Sequence, residues 1–222
     1  MKFKLSNKAT IAALSTIGAF VSMPALAHHP LAGQPMTTFT EGMLSGIGHP
    51  VLGFDHLFFV LAMGIAALFT GRSFTAPLAF VAAMLAGTGL IMAGIQLPLV
   101  EYVIASSLVA VGALLFSGKS IGLAKTAGLF AIAGLFHGWA FGETIVGQES
   151  IYANVIVGYM IGLAAIQWVL AVGAGMAVTS MLKVFDAADA KARIAGGVVA
   201  GAGAVFLLEG VEGALFAAMG LV

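Results

Sequence analysis

The chain has 222 residues, 61% of them hydrophobic and only 8% charged, with a mean hydropathy of +1.10. A soluble domain carries about 25% charged residues, so a water-exposed fold of this size is excluded and lipid is the solvent that fits. Nine basic and nine acidic residues cancel, which excludes nucleic acid as a partner, and the absence of cysteine excludes disulfides, thiolate metal sites and cysteine nucleophiles.

In chain order, residues 1–27 read as a cleavable signal peptide. Lys2, Lys4 and Lys8 form a basic start, Ala9 to Val21 an apolar core, and Met23-Pro24 a break ahead of Ala25-Leu26-Ala27. The alternative is an uncleaved first transmembrane helix. Cleavage after Ala27 leaves His28 and His29 at the mature terminus, where two imidazoles and an amine could hold a metal loosely. Residues 28–222 are then a single transmembrane domain.

Six apolar stretches follow, near 51–70, 77–95, 98–117, 125–142, 151–182 and 194–217, each of a length that crosses a bilayer. The expected fold is therefore all-α and polytopic, with six transmembrane helices. Thirty glycines in such a chain fit close helix packing through small residues. Every basic residue of the mature chain lies at an odd-numbered connection: Arg72 in the first, Lys119 and Lys125 around the third, Lys183, Lys191 and Arg193 in the fifth. Basic loops stay inside, so both mature termini are expected outside, as an exported N-terminus also requires.

That orientation places the polar residues at one depth. His49 stands at the outer mouth of the first span and His56 on the same face about 10 Å deeper, since a helix rises 1.5 Å per residue. Pro50 is expected in the first turn of that helix, where its missing N–H leaves no bond unmade. Asp55 is placed to accept the second N–H of His56. In the fourth span His137 lies near the outer end, with Gly138 and Gly142 admitting a close neighbour and Glu143 and Glu149 at the entrance. Glu101 opens the third span, and Glu209 and Glu212 lie in the outer half of the sixth.

Ionisable groups inside membrane spans are rare and usually functional. Structural roles compete at each position. The His56–Asp55 pair could only lock packing, His137 could donate to a carbonyl, Glu101 could serve the helix dipole, and Glu209 and Glu212 could be protonated helix contacts. Imidazole with carboxylate suits Ni, Co, Zn, Fe or Cu(II) better than Mg or Ca, without choosing among them.

Two segments carry a resemblance. His49-Pro50-x-x-Gly53-x-Asp55-His56 followed by Gly64, and Phe136-His137-Gly138-x-Ala140, resemble the first- and fourth-helix signatures of the HupE/UreJ family of nickel permeases. The likeness extends over the mature chain. It implies a bacterial inner-membrane protein that takes up nickel, or cobalt, for hydrogenase or urease maturation. His49, Asp55, His56 and His137 are then the metal residues; Glu101, Glu143, Glu149, His28, His29, Glu209 and Glu212 are candidates along the pathway. The ion is cargo, and no prosthetic group is implied. Lipid and a divalent metal are the expected partners, with a homo-oligomer left open. Many relatives carry a second histidine where this chain has Phe141, and one in the fifth helix, where it has Gln167, Trp168 and Leu170.

Three functions follow in order of weight. The first is non-ATP-driven metal uptake, since Ser117-Gly118-Lys119-Ser120 lacks the upstream glycine of a phosphate-binding loop. The second is an intramembrane metal-dependent hydrolase assisted by Ser45, Ser106 or Ser107. The third is a membrane accessory protein for hydrogenase assembly that transports nothing.

Overall fold

The computed structural model describes residues 35–148 and 152–220; the expected signal peptide, His28, His29 and Glu149 lie outside them. The described residues form seven helices and no strand. The first, α1 (Phe39–Leu52), was not expected, although its start is written in the sequence. Thr38-x-x-Glu41 is a capping box: the Thr38 hydroxyl accepts from the Glu41 N–H at 3.2 Å, and the Glu41 carboxylate accepts from the N–H of Thr38 at 2.9 Å. Two orphan donors at the helix start are satisfied reciprocally.

The end of α1 corrects the expected first span. Pro50 lies in the last turn of α1, not the first turn of a longer helix, and helical structure stops two residues later. Gly53 is extended (φ −81°, ψ 108°) and joins both neighbours. Its N–H donates to the carbonyl of His49 at 3.0 Å, and its own carbonyl accepts from the N–H of Leu57 at 2.9 Å. A Cβ there would stand 2.8 Å from the His56 ring, so any other residue would displace that ring. Beyond it α2 (Phe54–Leu68) sets off at 82° to α1. The expected continuous helix is broken at Gly53, three residues past Pro50, whose missing N–H weakens the last turn of α1.

Each of the last five expected stretches holds one helix, with ends moved by a few residues. These are α3 (Pro77–Met92), α4 (Val100–Ser117), α5 (Leu123–Val146), α6 (Ala153–Ser180) and α7 (Ala190–Ala218). The four from α4 to α7 are long and apolar enough to cross a membrane, the bent α1–α2 pair passes only jointly, as a broken span or a re-entrant loop, and α3 is apolar at 16 residues.

Glycines set the packing. Along the crossing of α1 and α6, Gly42 and Gly46 meet the carbonyls of Val155 and Tyr159, and Gly158 and Gly162 meet those of Phe39 and Met43. Small residues four apart on both helices bring backbone onto backbone. The pairs α3–α5 and α4–α7 are also close, and α2 touches all six other helices. Gly53 and His56 are buried in this packing, while Leu52 and Phe54 on either side of the glycine are exposed.

Candidate metal site at the helix break

The break brings three histidines from α1, α2 and α5 into a row. The rings of His49 and His56 are 5.7 Å apart between centroids, and those of His56 and His137 5.1 Å. The expected separation of His49 and His56 by two turns along one helix is thus overturned: the 82° bend puts the two rings in contact. His137 is fully buried, with its α5 position roughly 14 Å from the helix end at Val146 and roughly 21 Å from Leu123. It is deeper than the expected position near an outer end at Gly142, because α5 continues four residues beyond that glycine.

Each ring is held by specific partners. The Nδ1 atoms of His56 and His137 are 3.1 Å apart. His137 Nε2 lies 3.1 Å from the Ser107 hydroxyl, which donates to the carbonyl of Ile104 at 2.6 Å. His49 Nδ1 lies 3.1 Å from the Tyr159 oxygen and 3.0 Å from Thr144 Oγ1, while Tyr159 donates to the carbonyl of Phe141 at 2.7 Å. Asp55, expected to accept from His56, stands 3.8 Å from its Nδ1, beyond hydrogen-bond reach; the nearer partner of that nitrogen is His137. Position in the first turn of α2 aims the carboxylate sideways, toward α4 and α7.

Apolar rings box the row in. Phe141 lies 4.4 Å from His56 and 5.0 Å from His49 between centroids, so this position is a hydrophobic wall against both rings. Phe59 and Phe80, both fully buried and stacked at 5.2 Å, stand 4.6 and 5.5 Å from His137. Gln167, on the helix expected to offer a histidine in relatives, is fully buried and donates to the carbonyl of Leu163 at 3.3 Å.

The acidic residues divide. Asp55, Glu101 and Glu209 line one cavity of about 280 Å³ together with Tyr102, Ile104, Ala105, Phe206 and Gly210. Glu101 is also within electrostatic reach of Glu143 at the end of α5. Glu212 is exposed and does not line the cavity, whereas Glu209, one turn before it, does. Among the described residues no group of three His, Asp or Glu side chains stands ready-made to hold a metal ion.

Ser107, Thr144 and Tyr159 escaped the sequence reading as partners of the histidines. Hydroxyls on separate helices leave no spacing signal, because the contacts join residues 30 to 110 positions apart.

An all-helical chain of apolar spans, folded around buried imidazoles at a broken helix, is a multi-pass membrane protein with a polar centre. The chain belongs to the HupE/UreJ family: the family model described as HupE / UreJ protein matches residues 16–206. Protein HupE of Rhizobium leguminosarum bv. viciae is 32% identical over 198 residues, covering 88% of this chain and 97% of that protein. No solved structure matches the chain. The family is associated with hydrogenase and urease nickel accessory function and its members are not enzymes, which sets aside the hydrolase reading.

Proposed function

We propose that the protein carries a divalent transition metal ion, nickel foremost and cobalt second, inward across the bacterial inner membrane for hydrogenase or urease maturation. The observation that carries this reading is the contiguous row of His49, His56 and His137 at the broken helix, joined through Asp55 to an acidic cavity. The α1–α2 pair serves as one broken span and α3 to α7 as five more, with both mature termini periplasmic behind a signal peptide cleaved after Ala27. Broken helices are how transporters place ion sites inside a bilayer, since the carbonyl end of a half-helix favours a cation.

The cavity has room for a hydrated ion: six waters occupy about 180 Å³ at roughly 30 Å³ each, against about 280 Å³ available. Carboxylates of Asp55, Glu101 and Glu209 attract the aqua ion, with Glu143 and Glu149 at the approach. Asp55 passes it to the imidazoles, which replace water. His49, Asp55, His56 and His137 form the site. A transported ion must bind firmly enough to enter and loosely enough to leave. A row of rings serves that better than a closed cage.

Accumulation of radiolabelled nickel in a transport-deficient host tests the reading, with cobalt competition reporting selectivity. Wild type is expected to accumulate nickel, and Asp55→Asn to lose at least about tenfold of the rate, as loss of a group beside a metal ligand does. No accumulation by wild type would refute transport and leave the accessory role.

Acid should stop uptake as well. Ligation needs the imidazole lone pair, so activity is full above the ordinary histidine value of about 6.5 and falls as pH drops through and below it. A rate that stays level from pH 8 to pH 5 counts strongly against histidine ligation.

A further inference from the structure

Among the described residues, two fully buried side-chain atoms take part in no hydrogen bond, Ser45 Oγ and Gln167 Oε1. A serine hydroxyl can turn to the carbonyl one turn back in its own helix, so Ser45 has a partner at hand. The Gln167 amide lacks that freedom. Its Nε2 donates to the carbonyl of Leu163 at 3.3 Å and faces the Met84 sulfur at 3.6 Å, and both of those atoms only accept. Flipping the amide would set its oxygen against two acceptors, so the orientation is fixed and Oε1 stays unmet. An unmet acceptor is costly in a dry interior, and a polar side chain there needs a reason.

The fold places this side chain just past the histidines. Tyr159, Leu163, Gln167 and Ala171 follow at four-residue spacing on α6, and all four are 0% exposed. Early on this ridge Gly46 of α1 rests on the backbone of Tyr159 and Leu163; at its far end Gly64 of α2 rests on that of Ala171. The ridge thus passes from one half of the broken helix to the other, with Gln167 between the two contacts. Tyr159 marks the level of His49, whose Nδ1 is 3.1 Å from its oxygen. Gln167 lies eight residues on, roughly 12 Å farther along α6. Met84 ties it to the other end of the row: its sulfur faces Gln167, and its backbone lies against Gly138, next in the chain to His137.

We propose that Gln167 is the next contact for the ion inward of the histidine row, its amide oxygen binding the metal or a water that the metal carries. This rests on the transport reading above. A neutral amide oxygen suits nickel less well than imidazole does, so it takes the ion from the rings without trapping it. The residue therefore governs passage and release, not capture.

Initial rates of radiolabelled nickel uptake in a transport-deficient host, set beside equilibrium nickel binding by the purified full chain in lipid nanodiscs, test this. Gln167→Leu keeps the bulk and removes the oxygen. It is expected to slow uptake about tenfold, with no rise in the half-saturating nickel concentration and with binding within about twofold of wild type. Its thermal unfolding should come no lower than that of wild type, because the atom removed had no partner to lose. If Gln167→Leu fails to accumulate, Gln167→Met, flexible and equally without oxygen, takes its place. An unchanged uptake rate, or a loss explained wholly by weaker binding, overturns the proposal. Absence of uptake by wild type refutes the transport reading and this inference with it, whereas an active wild type beside an unaffected variant refutes this inference alone.

Discussion

His56→Ala is expected to reduce nickel accumulation to background at normal protein levels, a loss of at least about 100-fold. Removing a mere hydrogen-bond partner of a metal ligand lowers affinity by about 10–100-fold, and His56 is more central than a partner. It is the one ring of the row in contact with both others, 5.7 Å from His49 and 5.1 Å from His137, and it stands 3.8 Å from Asp55. Truncation therefore cuts the path between the acidic cavity and the rest of the site. It also strips His137 Nδ1 of its partner at 3.1 Å, and a buried polar atom left without one costs about 1–3 kcal/mol. Quantifying the protein in membranes separates this modest instability from lost transport. Uptake unchanged in the variant would leave the histidines as packing groups and move the protein to the accessory role.

The second large effect is on stability. Gly138→Val is expected to destabilise the folded protein by about 3 kcal/mol, the upper end of what overpacking costs. A Cβ at Gly138 would collide with the carbonyl of Met84, backbone against backbone, so no side-chain rotation relieves it. The crossing is tied further by Thr88, whose hydroxyl donates to the carbonyl of Gly138 at 2.8 Å and lies 3.1 Å from that of Met84. Forcing α3 and α5 apart moves the neighbouring His137 as well. Gly128, on the same helix but with open space around it, supplies the control: Gly128→Val should stay within about 0.5 kcal/mol of wild type, as surface changes do. Equilibrium unfolding in detergent reads both variants, and equal stabilities would mean that the α3–α5 crossing tolerates separation.

Part of the missed structure had a signal in the chain. Thr38 and Glu41 announce the start of α1, and Pro50 followed by Gly53 announces its end, yet an apolar run through residues 51–70 reads equally well as one uninterrupted span. Hydropathy counts apolar residues and is blind to a change of axis within them. The pair Glu209 and Glu212 shows a different limit. Three residues apart they share a helix face, but only Glu209 reaches the cavity, whose wall is set by α4 docking on α7, where Tyr102 donates to the carbonyl of Gly210 at 3.0 Å.

Composition by itself made this a membrane protein, because so few charges cannot cover a fold in water. The place of His49, Asp55, His56 and His137 in or beside apolar stretches marked them by itself as candidates, since ionisable groups in lipid are rare and usually functional. The tertiary structure alone decided how those residues meet. An 82° bend turned two histidines of one segment into neighbours, and hydroxyls from distant helices came to lie within 3.1 Å of the ring nitrogens. The physical reason is that helical periodicity is local, whereas the direction of a hydrogen bond between helices depends on how the whole bundle packs.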